Sequence, residues 1–285
     1  MRHRRYLVTA QNWDGGFSGR EGGSDLYYTG FAVRALACLE SLKGRALDDV
    51  AGFLRTRLTQ PASVVDFMSL LYAARLVQNG GGPDVLSENG CDWPTRVAAA
   101  LEMFRKPDGG YAKATDGTAG STYHSFLVAL CYELIALPLP KPERIVDFIR
   151  SRRREDGGFV EVAPAKRGGT NPTAAAVAVL LMFDALDGTA EQGVIEFLAG
   201  MQSAEGGLRA NGKAPLADLL STFTGMLTLD DLGAISRVDQ AAARRFVQAT
   251  EDSAGGFRGG MWDQATDVEY SFYGLGCVAI LGAQG

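Results

Sequence analysis

Three apolar stretches of this chain open on an aspartate, at Asp25, Asp218 and Asp267, and the last reads Asp267-Val-Glu269-Tyr270, with a second carboxylate close behind the first. An aspartate in that place is first of all an N-cap, its side chain accepting from the free amides of the first helical turn. Glu269 falls inside that turn, where the helix dipole favours a carboxylate, so it reads either as a dipole partner or as an acid facing a cavity. Together with His124 the same carboxylates could gather around a cation, and an oxygen-rich set suits magnesium or calcium better than zinc. Tyr27, Tyr28, Phe67, Tyr123, Trp262, Tyr270, Phe272 and Tyr273 lie near the starts of the same stretches. Their π faces suit an apolar chain or a cation, although aromatic stripes also make ordinary core. Arg20, Lys113, Lys166, Arg167, Arg209, Lys213 and Arg258 sit in the loops leading into these stretches, either as an anion clamp or as solvated loop charges.

Residues so far apart in sequence meet only if a repeat brings them together, and the chain has one. Gln11-Asn-Trp-Asp-Gly-Gly-Phe17 returns as Lys106-Pro-Asp-Gly-Gly-Tyr111, Arg154-Glu-Asp-Gly-Gly-Phe159, Gln202-Ser-Ala-Glu-Gly-Gly-Leu208 and Glu251-Asp-Ser-Ala-Gly-Gly-Phe257. The leading glycines, Gly15, Gly109, Gly157, Gly206 and Gly255, are 94, 48, 49 and 49 residues apart. The first gap is two periods, and where a copy is due the chain reads Thr59-Gln60-Pro61-Ala62-Ser63, a turn without glycines. A period in this range marks an array of supersecondary units.

Each turn follows an amphipathic stretch, such as Asp48–Leu58, Pro142–Arg154 or Val238–Thr250. Each precedes a stretch apolar on nearly every side: Asp25–Leu42, Ser121–Ala136, Asn171–Leu186, Asp218–Leu229 and Asp267–Leu281. The first kind is a surface helix and the second must be covered all round. Six such pairs closed in a ring cover every inner helix, which predicts one all-α domain over residues 1–285, an (α/α)6 toroid with its site where the inner helices begin. The glycines let the chain reverse between antiparallel helices. Gln78–Trp93, with Gly80-Gly-Gly82, reads as a flap or as a tolerated insertion. Arg150, Arg152, Arg153 and Arg154 read as dipole partners at a helix end or as a docking patch for an acidic partner.

Composition narrows the class. A net charge of −5 gives no basic field for nucleic acid. The basic start, Met1-Arg-His-Arg-Arg, lacks the apolar run of a secretory signal, and no segment has the length of a membrane span, so a cytoplasmic protein is expected. Cys38, Cys91, Cys131 and Cys277 have neither disulfide-framework nor zinc-finger spacing and read as reduced, mostly buried thiols.

The turns and the helix openings Asp25-Leu-Tyr-Tyr-Thr29 and Asp267-Val-Glu-Tyr-Ser271 together resemble the prenyltransferase and squalene-cyclase repeat superfamily, over essentially the whole chain. Within it, Gly255 to Gly274 resembles the last repeat of protein prenyltransferase β-subunits, the Rab geranylgeranyl type above all, and Gly15 to Thr29 resembles the first. The resemblance implies a transferase that holds a farnesyl or geranylgeranyl group in the central cavity, beside a partner subunit.

The family's zinc ligands, Asp and Cys in an Asp-x-Cys-Tyr-Ser string and a later His, correspond here to Asp218, Leu220 and Tyr270. Leucine ligates no metal, and a register shifted onto Asp267-Val-Glu269 leaves no later repeat to supply the histidine. The resemblance therefore implies prenyl binding or transfer without zinc or another cofactor. The family's diphosphate cations correspond to Met261 and Gln264, which leaves Arg20, Lys213 and Arg258 as candidates for an anion. Its cyclase branch protonates an alkene with an Asp-x-Asp-Asp string, and Asp267-Val-Glu269-Tyr270 resembles that string except at its end. Three readings stand: transfer or binding with Asp218, Asp267, Glu269 and Tyr270 as the catalytic set; cyclisation with Asp267 or Glu269 as proton donor; and a non-catalytic scaffold. Elemental analysis of the purified protein is expected to find no stoichiometric zinc, and one zinc per chain would refute the ligand comparison.

Overall fold

The computed structural model describes residues 2–59 and 62–282. Its outer layer is α1 (Arg2–Thr9), α3 (Arg45–Arg57), α5 (Trp93–Glu102), α7 (Pro142–Ser151), α9 (Gly188–Ala199) and α11 (Gln240–Thr250). The inner layer is α2 (Leu26–Cys38), α4 (Val64–Asn79), α6 (Thr122–Ile135), α8 (Thr170–Met182), α10 (Leu219–Asp231) and α12 (Val268–Gly282). The patterning sorts them: α7 buries one face, Ile145, Val146, Phe148 and Ile149, whereas α8 buries residues on several sides, Thr173, Ala176, Val177 and Leu180 among them. Inner helices pack in chain order, and α12 packs back on α2. The ring is closed, an α/α toroid. Among the described residues the strands are short, β1 (Phe257–Arg258) antiparallel to β2 (Thr266–Asp267). No described helix is long and apolar enough to cross a membrane.

One arrangement is repeated at every Gly-Gly turn: the turn following one outer helix rests on the next outer helix. Gly157 has φ +85° and its α-carbon faces the Gly193 carbonyl of α9, so a side chain there would collide with backbone. Its neighbour Gly158 lies under the Phe197 ring, 2.7 Å from where a Cβ would stand. The last turn rests in the same way on the first helix: a Cβ on Gly255 would lie 2.6 Å from the Arg2 carbonyl oxygen, and Gly256 packs under Tyr6. His3 stacks on Phe257 at 4.8 Å, and its Nε2 lies 2.6 Å from Glu251 Oε1. The N-terminal helix thus closes the ring as a successor to α11.

The residue after each Gly-Gly pair is fully buried, and its amide is satisfied from the inner helix. Phe17, Tyr111, Phe159, Leu208 and Phe257 donate to hydroxyls of Thr29, Ser125, Thr173, Thr222 and Ser271 at 2.9, 2.9, 2.8, 2.9 and 3.2 Å. The corresponding position of the second repeat is Phe67, so the repeat that has no Gly-Gly turn has no hydroxyl either. Gln60 and Pro61, in the expected turn, lie outside the described residues.

Several sequence expectations need correction. The apolar run from Asp25 leaves the helix after Cys38, where Glu40 takes φ 51° and the Ser41 amide bonds back to the Leu36 carbonyl; that from Asn171 ends at Met182, where Asp184 takes φ 49°. Helix α7 stops at Ser151 because Arg153 already bridges to Phe159 across the turn. The arginines behind it are not a free patch: Arg150, Arg153 and Arg154 donate to backbone carbonyls, and Arg152 is buried against Asp108 at 3.0 Å. In Gln78–Trp93, Val85 and Leu86 are buried, Gly82 packs on Leu47 and Val77, and Glu88 pairs with Arg55, so the stretch is anchored, which corrects the flap reading and leaves that of an insertion. Cys131 and Cys277 are buried, but Cys38 and Cys91 are exposed.

Thr222→Val keeps the shape of the side chain and strands the buried Leu208 amide. It is expected to lower unfolding free energy in urea by about 1–3 kcal/mol. An unchanged denaturation midpoint would show that this amide finds another acceptor.

Candidate functional site

The six inner helices enclose a cavity of about 610 Å³, within the range of about 300–1,000 Å³ that suits a small-molecule ligand. It does not stop at the helix starts. Tyr27, Phe31 and Arg34 share one face of α2 at helical spacing, so the lining runs about 10 Å along the axis from Tyr27 to Arg34. The wall is mainly aromatic and aliphatic. Phe31 meets Tyr27 at 4.9 Å, Tyr273 at 5.3 Å and Phe272 at 5.7 Å between ring centroids, and Phe223 meets Phe272 at 5.5 Å. Met68, Leu127, Leu130 and Ala178 continue the apolar surface.

Four charged side chains line the cavity, Glu269, Arg34, Glu161 and Asp231, and the first two are set among its aromatic rings. Glu269, in the first turn of α12, accepts at Oε1 from the Tyr27 hydroxyl at 2.6 Å and from the Tyr273 hydroxyl at 3.2 Å. Burial pushes its carboxyl above the ordinary range, and the Tyr27 hydrogen bond only partly opposes that. Burial, reinforced by the Glu269 charge, also raises both phenols, which therefore remain donors. The second group is Arg34, deeper along α2. Its guanidinium carbon lies 4.3, 5.1 and 5.2 Å from the ring centroids of Phe31, Phe272 and Tyr72, and its Nε donates to the Gly30 carbonyl at 3.0 Å. Arg34, one arginine in an apolar helix, matches no sequence motif. Its spacing from Tyr27 and Phe31 was the available signal.

Of the sequence candidates, Glu269, Tyr27, Tyr123, Phe272 and Tyr273 line the cavity. The others stand outside it for visible reasons. Asp267 caps α12, accepting from the Tyr270 amide at 2.9 Å, and Asp218 caps α10, accepting from the Ser221 amide at 2.7 Å and hydroxyl at 2.8 Å. Asp25 caps α2 through the Tyr28 amide at 2.8 Å. Tyr270 packs against Gly259 under Arg20, and burial pushes its hydroxyl up to about 12. Tyr28 covers Gly19, Phe67 lies edge-on to Phe104 at 6.4 Å, and Trp262 is 54% exposed over Gly260. His124 Nδ1 lies 2.6 Å from the Ser121 hydroxyl, and burial with the nearby Lys113 charge pushes it down to about 4, so it is neutral at pH 7. Arg258 donates to the Ala249 carbonyl at 2.9 Å at the end of α11, and Lys213 is exposed in its loop.

The positions matching the family's zinc ligands do not fit zinc. Asp218 spends both oxygens on Ser221, Leu220 is apolar wall and Tyr270 is covered by Arg20. Among the described residues no three His, Cys, Asp or Glu side chains lie together as a metal site requires.

With this geometry in hand, the chain belongs to the prenyltransferase alpha-alpha toroid domain family, whose model matches residues 1–67 and 81–285. No curated protein matches by sequence. Among solved structures it is similar to Candida albicans protein geranylgeranyltransferase-I complexed with GGPP, with TM-score 0.78 and 14% identity over 98% of this chain and 90% of that chain. A variant of the type II terpene cyclase MstE from Scytonema, in complex with geranylgeranyl dihydroxybenzoate, gives TM-score 0.66 and 14% identity over 98% and 94%. An inactive α-1,6-mannanase of Salegentibacter with α-1,6-mannotriose gives TM-score 0.67 and 12% identity over 100% and 98%. These identities establish the fold and leave the chemistry to the lining.

Arg20 has a different duty from the one its loop position suggested: it joins the first repeat to the last. It donates to Asp263 at 2.9 and 2.5 Å, to Asp267 at 3.0 Å and to the Ala265 carbonyl at 2.8 Å. Burial works against the Asp263 carboxylate, but bonds from Arg20 and from the Gly259 and Ala265 amides hold it down at about 2. That lies below the unfolded value of about 3.9, so Asp263 contributes stability above about pH 4 and loses it as pH falls through about 2. Asp267, raised by burial, acts in the opposite sense and must be kept constant in the comparison. Asp263→Asn is expected to lower the melting temperature at pH 7, with the gap to wild type narrowing from pH 4 towards pH 2. A gap independent of pH would show that the clamp acts through shape alone.

Proposed function

We propose that residues 1–285 act as one toroid domain that holds an isoprenoid chain in its central cavity, as a prenyl-binding or prenyl-transferring protein without the family's zinc. The observation that carries the reading is the lining itself. An oligosaccharide in this space would bury hydroxyls against Phe31, Phe223, Phe272 and Leu130, which offer no hydrogen bonds, at a cost of about 1–3 kcal/mol for each one stranded. A branched polyene instead exchanges water for ring faces. The family's assembly with a second subunit supports a protein partner for this chain, and a cytoplasmic location is part of the same reading.

A cyclase reading is favoured by one specific observation, the buried carboxyl of Glu269 in the wall. Protonated by its surroundings, Glu269 would give its proton to a terminal alkene carbon. A C–H bond forms, the π bond breaks and a tertiary carbocation is left, which Phe31, Phe272 and Tyr273 can face. Tyr27 and Tyr273 would then stabilise the carboxylate left behind.

Geranylgeraniol is expected to bind one per chain by calorimetry and to raise the melting temperature. Ala178→Trp, which fills the cavity, is expected to weaken binding at least tenfold while the protein stays folded. Failure of geranylgeraniol, geranylgeranyl diphosphate and geranylgeranoic acid alike to shift the melting temperature would favour the scaffold reading. Glu269→Gln should cut turnover of a linear polyprenyl substrate by about 100-fold or more and leave its binding intact; undiminished turnover removes the cyclase reading.

A further inference from the structure

Arg34 is a cation without an anion. Among the described residues no carboxylate comes within ion-pair distance of it, and its one hydrogen bond is made by Nε to its own helix. The terminal guanidinium nitrogens are left for the cavity. Phe31, Tyr72 and Phe272 pack around the guanidinium, which offsets part of the cost of keeping it from water and holds the fork in place. Two further donors belong to the same wall: the hydroxyls of Tyr72 and Tyr123 have no hydrogen-bond partner among the described residues. The Arg34 charge also reaches Tyr123, whose phenol it draws down against the larger effect of burial.

On the reading that the cavity takes an isoprenoid chain, we infer that its ligand ends in a single carboxylate, which lies inside the toroid on the guanidinium of Arg34 rather than in the loops at the helix starts. A planar carboxylate matches the guanidinium fork with two parallel hydrogen bonds, and Tyr72 and Tyr123 add two hydroxyl donors to the same cavity wall. A diphosphate fits less well. Arg34 is the one cation in the lining among the described residues, against the carboxylates Glu161, Asp231 and Glu269, so several added negative charges would meet more repulsion than attraction. Arg34 is thereby a specificity-determining residue, and its role is separate from that of Glu269, which stands nearer the start of the ring and already has its partners.

Calorimetric titration of the 285-residue chain with geranylgeraniol, geranylgeranoic acid and geranylgeranyl diphosphate tests this. The acid is expected to bind at least tenfold more tightly than the alcohol and more tightly than the diphosphate. Arg34→Met is expected to erase the preference for the acid and leave the alcohol's affinity within about twofold. Arg34→Lys, which keeps the charge and loses the fork, should fall between, and a melting curve for each variant confirms folding. Equal affinity for acid and alcohol in wild type, tightest binding of the diphosphate, or a preference that survives Arg34→Met overturns this inference and leaves the isoprenoid reading standing. No binding of any of the three overturns both.

Discussion

Close approach of a glycine to the backbone of the next outer helix is the constraint from which the rest of this structure follows. At Gly157 and Gly255 the turn carries positive φ and lies against a helical carbonyl, with an aromatic ring of that helix over the following glycine. A side chain at either position would push the hairpins apart. Each Gly-Gly turn rests on the succeeding hairpin and not on its own, and the turn at Gly255 meets α1 and ends the series. The buried Thr or Ser hydroxyl on the inner helix behind each Gly-Gly turn then satisfies the amide that this sharp turn would otherwise strand.

The same constraint makes the cavity. Inner helices held side by side in a closed ring leave their innermost faces with nothing to pack on except one another across the axis, and the residues there remain half-buried around a hollow. One fold can host different chemistries, and proteins similar to this chain in fold have been solved with GGPP and with α-1,6-mannotriose. Here the faces carry fused aromatic contacts, one carboxyl held by two phenols and one unpaired guanidinium. That combination suits an apolar ligand with a polar end.

The ring was legible in the chain because its determinants are local and repeated: two glycines, an apolar residue and a helix opening on Asp or Ser. The ends of two inner helices were not, since Glu40 and Asp184 adopt the left-handed conformation that glycine usually marks, whereas the runs ending at Ala136, Leu229 and Leu281 stop within two residues of their helix ends. The site was legible only in part. Glu269 stood out because a carboxylate interrupts an apolar run, and Tyr27, Phe272 and Tyr273 because they flank helix starts. Asp218 and Asp267 shared that signal and proved to be caps, because a carboxylate at a helix start turns to the nearest free amides. Arg34 escaped notice because its importance depends on the rings of Tyr72 and Phe272, which come from two other repeats.

The central claim, that the hollow of the ring is the ligand site, is tested most directly by a crystal structure of the protein grown with a geranylgeranyl ligand. The account predicts continuous density along the Tyr27–Phe31–Arg34 face of α2, in van der Waals contact with Phe272 and Tyr273. Density confined to the outer loops around Lys213 and Trp262, with the hollow filled only by water, would contradict it.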